Sequence, residues 1–208
     1  MSRPALPPTV RGLSLVSLFN DFASEMVYPL LPAFVTRTLG GGAALLGVLD
    51  GAADLTSAAL KWFTGRLADR PGWSKPLILA GYGTAVLIRP VIAVASAAWQ
   101  VIGFRVIDRI GKGIRTAPRD ALVADSVSPE ERGRGFGLHR ALDTLGAVLG
   151  LALAAAIVYL VQKGNLELSL ETYRWLVLVG VVPAVLAVLV LLGFVHEAKR
   201  SPARGHDI

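Results

Sequence analysis

Cysteine is absent from all 208 residues, so disulfides and thiolate metal sites are excluded. Histidine is nearly absent too. Of the three, only His139 lies inside an apolar stretch with an acid, Asp143, four residues on. Charged residues make up 17% of the chain against 53% hydrophobic, and the mean hydropathy is +0.57. A soluble domain of this size is usually less apolar. No clean signal-peptide core is present. MSRPALPPTVR is polar and proline-rich, and Asn20, Asp21 and Glu25 interrupt the apolar run beyond it, so the stretch reads as an uncleaved first span. No Ser/His/Asp arrangement stands out. Asp50 and Asp54 have the spacing to ligate a divalent cation, as acidic motifs do in some phospholipid head-group transferases, but the rest of such a motif is missing. The chain reads as a non-enzyme with no cofactor, no metal site and no nucleic-acid partner.

What charge there is gathers in residues 99–125, WQVIGFRVIDRIGKGIRTAPRDALVAD. Arg105, Asp108, Arg109, Lys112, Arg115 and Arg119 recur there at steps of three and four. On a helix they share one face roughly 120° wide. Gly103, Ile107, Ile110, Ile114, Ala117 and Ala121 form a small or apolar face opposite. Such a helix would be roughly 40 Å long, enough to cross a bilayer. Each charge at the bilayer centre costs about 2.5–3.5 kcal/mol on insertion scales. Five cations on one stripe therefore demand water or opposite charge.

Six membrane helices are expected, over 12–38, 44–67, 76–96, 99–125, 134–162 and 173–196. The fold class is an all-α membrane protein with six transmembrane helices. Residues 1–11 read as a cytoplasmic segment, 12–196 as the bundle and 197–208 as a basic cytoplasmic tail. At or beyond the span ends, one side holds Arg3, Arg11, Arg66, Arg70, Lys75, Arg132, Arg134, Lys199, Arg200 and Arg204. The other holds only Arg37, Lys163 and Arg174. That bias predicts cytoplasmic termini in a bacterial-type inner membrane.

The other helices answer the basic stripe unequally. The first carries Asp21 and Glu25 in line with Ser14, Ser17 and Tyr28. The second carries Asp50, Asp54, Ser57 and Lys61 on one face, and the fifth carries His139 and Asp143 with Arg140 close by. The third has only Arg89, and the sixth has no charge from Trp175 to Val195. Helices three and six therefore suit lipid, and one, two, four and five suit a polar interior. The acids are expected to pair with the stripe, leaving a small positive excess for an anion or a shifting proton. Ionisable groups within spans mark transport paths and proton relays. Asp21 and Glu25 head the candidates for proton coupling, with Asp50, Asp54 and Asp143 next. Tyr28, Arg105, Asp108, Arg109, Lys112, Arg115 and His139 are candidates to line a cavity or bind a small-molecule substrate. Ser128-Pro129-Glu130-Glu131 has the form of a capping box. Gly146 and Gly150 make a small-xxx-small surface, for packing within the bundle or against a partner.

GRLADRPGWSKP, with Gly65, Asp69, Arg70 and Gly72, resembles the loop motif of the major facilitator superfamily and falls between the second and third helices, as it does there. Trp73 replaces a usual basic residue, while Lys75 keeps one. Residues 105–113 are similar to the family's helix-four pattern, with Arg105 at its arginine and Gly111 and Gly113 at its small positions; Arg109 and Lys112 stand where small residues are usual. DTLGAVLG is similar to the helix-five antiporter pattern, with Leu151 in place of its proline. The resemblance implies secondary transport by alternating access, in a fold of two six-helix halves of which this chain is the N-terminal one. It makes Gly65, Asp69, Arg70 and Gly72 a conformational gate motif. Two copies paired in parallel would rebuild the missing half, bringing Asp69 to residues 133–136 of the partner, where a helix N-terminus favours a carboxylate. The expected function is a proton-coupled exporter acting as a homodimer. The alternative is a half that assembles with a separate C-terminal half, or a non-transporting remnant.

Overall fold

The computed structural model describes residues 5–38, 40, 42–163 and 168–197. Six long helices fill it: α1 (Pro8–Glu25), α2 (Ala43–Ala68), α3 (Ser74–Ala93), α4 (Ala98–Asp125), α5 (Arg132–Val161) and α6 (Leu170–Phe194). The expected tail at 198–208 lies outside the described residues.

The first helix departs most from expectation. It begins at Pro8 rather than residue 12, because a proline at the first helical position forfeits no intrahelical bond. It stops at Glu25 rather than running to 38. Pro29 and Pro32 have no N–H to give the carbonyls of Glu25 and Tyr28. The chain continues as a 3₁₀ turn (Tyr28–Leu30), one α turn (Leu31–Ala33) and a π turn (Phe34–Thr38). The capping box at Ser128 also does not form. Pro129 opens a 3₁₀ turn, and Ser128 makes no side-chain cap. Its hydroxyl bonds instead to Glu130, whose own backbone N–H and this hydroxyl hold the exposed carboxyl below the usual range. Glu131 reaches Arg134 at 3.4 Å.

Two real caps were not foreseen. The Thr172 N–H donates to the Ser169 Oγ at 3.1 Å and so starts α6. The Lys75 N–H donates to Glu197 Oε1 at 2.7 Å, while Lys75 Nζ donates to the Leu192 carbonyl at 3.3 Å, tying the end of α6 to the start of α3. Ser169→Ala is expected to cost about 1 kcal/mol, read as a small fall in unfolding midpoint.

The bundle is two three-helix slabs. In one, α1 packs on α5 and α6; in the other, α4 packs on α2 and α3. Contact between α3 and α6 joins the slabs, and α1 touches α4 only sparsely. Gly146 and Gly150 of α5 meet α1 so closely that a Cβ on either would overlap the carbonyl of Leu18 or Phe22. Their small surface is therefore used within the bundle. Across the other slab, Gly111 of α4 lies against Gly81 and Thr84 of α3.

The apolar core is divided. One cluster, with Val10, Leu13, Val16, Ile78, Leu122 and Leu191, fills the end near the α2–α3 turn. The other, with Met26, Phe34, Ile92, Val101, Tyr173 and Leu176, fills the opposite end, where Phe34 and Tyr173 stack at 3.8 Å. A polar belt lies between them. Ser74–Ala93, Pro129–Val161 and Leu170–Phe194 are long and apolar enough to cross a membrane. Helix α3 nevertheless does not turn its charge to lipid. Arg89 is 1% exposed and points inward.

Candidate functional site

The belt is built around α1 and α4. Because these helices barely touch, their polar faces look at each other across a gap rather than interlocking. Two pockets occupy it. The first, about 120 Å³, is lined by Asn20, Asp21, Ser24, Glu25 and Tyr28 of α1 and its extension, and by Asp108, Arg109, Lys112 and Arg115 of α4. The second, about 180 Å³, shares Asn20, Asp21, Lys112 and Arg115, and adds Lys61, Thr116, Arg119, Arg140 and Asp143.

The predicted acid–base pairing holds for only part of the stripe. Arg105 Nε donates to Asp50 Oδ1 at 2.7 Å, and Arg109 lies 3.7 Å from Asp54. Both pairs cross from α4 to α2, and both acids are well exposed, so each is worth no more than about 1 kcal/mol. Among the described residues, the α1 acids make no such pair with α4. The Asp21 carboxyl accepts from Asn20 Nδ2 at 3.0 Å and is a hydrogen-bonding neighbour of Asp143. Asp143 in turn accepts from the Ser17 hydroxyl and lies 3.5 Å from Arg140 of its own helix. The physical reason is the sparse α1–α4 contact, which keeps opposite charges on two walls of a cavity.

Asp21, Glu25, Tyr28, Asp108, Arg109, Lys112 and Arg115 all reach the cavity, and Asp143 joins them in its larger part. The Tyr28 hydroxyl lies beside the buried Asp108 carboxyl, and the Arg105 guanidinium sits 4.9 Å from the Tyr28 ring. Arg105 thus braces the cavity wall rather than opening into it. His139 is fully buried with both ring nitrogens unpartnered, and lines neither pocket. The four loop-motif residues also stand away from both pockets. Gly72 has φ +79°, a conformation that favours glycine, and so permits the sharp α2–α3 turn. The small and apolar face of α4 is partly open, since Gly103 and Ile107 are exposed. On the charged face Asp108, Arg115 and Arg119 are buried, at most 8% exposed, whereas Arg105 and Arg109 are half-buried and Lys112 is exposed.

One group of site residues was missed. Arg89 Nη2 donates to Ser24 Oγ at 2.8 Å and to Asn20 Oδ1 at 3.4 Å, so a buried guanidinium stands behind the residue that holds Asp21. The signal was available: a lone arginine in an apolar span must turn to the interior.

The described residues form a six-helix bundle with a charged belt between two apolar ends. Residues 13–207 match the Major Facilitator Superfamily. An uncharacterized MFS-type transporter of Methanocaldococcus jannaschii is 34% identical over 198 residues, covering 95% of this chain and 47% of that one. The multidrug resistance protein MdtH of Cronobacter sakazakii is 33% identical over 130 residues, 62% of this chain and 32% of that one. Among solved structures, a bacterial homologue of the human lysosomal transporter Spinster, inward-facing and unoccupied, superposes with TM-score 0.75 at 19% identity, over 93% of this chain and 43% of that one. A D-xylose–proton symporter gives TM-score 0.71 at 15% identity, over 93% of this chain and 49% of that one. The chain belongs to the major facilitator superfamily and is an integral membrane protein. It spans less than half the length of each of these relatives.

Proposed function

We propose that this bundle is one half of a secondary active transporter, a proton-coupled exporter of a small solute working by alternating access. In this reading all six helices cross a bacterial-type inner membrane and both termini are cytoplasmic. Helices α1, α2 and α4 carry too much charge to cross alone, but their polar faces turn to the groove and to one another. The supporting observation is the charged groove between α1 and α4, set between two apolar ends, where transporters of this build place substrate and coupling ion. Export takes its support from the similarity to a protein named for multidrug resistance.

Proton coupling falls to the Asp21–Asp143 pair. A single proton shared between neighbouring carboxyls removes their mutual repulsion. A motion that parts them, or brings Arg115 onto Asp21, changes how firmly that proton is held. Glu25 lines the same groove, while Asp50 and Asp54 are already held by Arg105 and Arg109. Gly65, Asp69, Arg70 and Gly72 serve as the gate at the α2–α3 turn. A second six-helix bundle set in parallel covers the groove, and α2 and α5 offer it apolar surface in Leu55, Trp62, Phe63, Val148 and Tyr159. A second copy of the chain is the proposed cover. The reading in which a different C-terminal half supplies it is favoured by the M. jannaschii relative, of which this chain covers 47%.

The purified chain in liposomes is expected to move protons when a carried solute is added, read by an enclosed pH dye. No solute-dependent proton flux across a broad solute panel would remove the transporter reading. Because the chain lacks cysteine, Asp69→Cys with Gly133→Cys gives clean crosslinking in native membrane. A dimer band supports pairing of two copies; a crosslink to a different chain replaces it with the second reading.

A further inference from the structure

We propose that the larger pocket is an oxyanion site, and that the transported solute carries a carboxylate or phosphate group. The second half of that statement rests on the transport reading above; the binding site does not. The pocket has five cations on its walls and two acids, Asp21 and Asp143. Two of the cations are engaged. Arg119 donates to Asp120 through both Nε and Nη2, and Arg140 lies 3.5 Å from Asp143. Among the described residues, Lys61, Lys112 and Arg115 have no carboxylate within 4.0 Å. Three unpaired cations therefore face one remaining acid.

Arg115 makes this a built site rather than a solvated face. Its side chain is buried, with only 4% of the residue exposed. Its Nη1 donates to the Gly81 carbonyl at 3.1 Å, and its guanidinium lies 4.5 Å from the Tyr82 ring. The carbonyl and the ring fix the plane of the fork, and part of it lines the pocket. A guanidinium taken out of water without a carboxylate carries an unrecovered desolvation cost. An arriving oxyanion offsets it through charge-assisted hydrogen bonds, which a planar fork makes two at a time. Lys61 and Lys112 supply charge from the open side, where long side chains close over a ligand. The charges on its walls favour a small anionic group and repel a lipophilic cation.

The test uses the full chain in nanodiscs at constant ionic strength, titrated calorimetrically with inorganic phosphate, succinate and tetraphenylphosphonium. Saturable binding of phosphate or succinate, and none of tetraphenylphosphonium, is expected. Lys61→Gln and Lys112→Gln, both at positions outside the apolar cores, should each weaken binding about ten-fold or more. Arg132→Gln removes the same charge at a position away from the pocket and should leave affinity unchanged. The proposal is overturned by absent saturable oxyanion binding, by equal losses in all three variants, or by preferred binding of the cation. Adding phosphatidylglycerol to the nanodiscs separates a soluble solute from a lipid head group, because competition by that lipid would overturn the solute assignment. Oxyanion binding without proton-linked flux would reject transport and keep the site; flux without oxyanion binding would do the reverse.

Discussion

On the proposed proton-coupled reading, Asp21→Asn is expected to abolish transport driven by a pH gradient, by about a hundred-fold or to background, while leaving the chain folded in the membrane and still able to exchange solute for solute. Asparagine keeps the size of aspartate and can still accept from Asn20 Nδ2, the bond seen at 3.0 Å. What it loses is the capacity to take up and release a proton. Coupling requires a site whose proton occupancy changes with conformation, and Asp21 is placed for that. It lines both pockets, neighbours Asp143, and has Arg115 on the facing wall. Counterflow exchange needs the cavity but no net proton movement, so it persists. The measurement compares gradient-driven flux with counterflow in the same liposomes. Equal, undiminished flux in both assays would take Asp21 out of the coupling step. Loss of both would make it a binding residue.

Gly146→Val prevents assembly of the bundle. A single Cβ at this position already overlaps the Leu18 carbonyl, and backbone atoms rather than a flexible side-chain tip stand in the way. Overpacking a core that can adjust costs typically about 1–3 kcal/mol. Here α1 would have to move away from α5 as a unit, releasing the contact that holds their slab together and displacing Ser17 from Asp143. Total stabilities of about 5–15 kcal/mol leave little room for such a loss. The control is Gly137→Ala on the same helix, where nothing lies within 4 Å of the added methyl group. That variant should be neutral or slightly more stable, since alanine is the better helix former by about 1 kcal/mol. Size-exclusion profile and thermal midpoint in detergent distinguish the two. A monodisperse Gly146→Val protein with an unshifted midpoint would show that α1 and α5 do not approach to backbone contact.

The helices were legible because long apolar runs separated by Gly and Pro punctuation carry their own boundaries. The break in α1 was not, although Pro29 and Pro32 were in plain view. Prolines are tolerated within spans, and only the loss of two nearby donors in one turn ends the helix here. The polar faces of α1 and α4 came from spacing alone, and seven of the residues so chosen line the cavity. Their pairing did not. Periodicity says which side chains share a face, but not how far two faces stand apart. Hence Asp50 and Asp54 met their arginines as expected, while Asp21 found a carboxyl instead. Arg89 was misplaced because a helix with one charge was judged by its average, when that one charge sets its rotation. The ambiguity at Gly146 and Gly150 was real at the level of sequence, since a small surface does not announce its partner.

The sparse seam between α1 and α4 bears on how the molecule hydrates. Elsewhere, prying two helices apart exposes interlocked methyl groups to water. Along this seam the facing groups are already ionic, so a few entering water molecules gain hydrogen bonds rather than break contacts. The joint formed by α3 and α6 then acts as the spine of a book whose pages are wetted, not torn, when they part. Backbone amides on the cavity side of α4 should therefore exchange deuterium faster than those of α6 at equal depth.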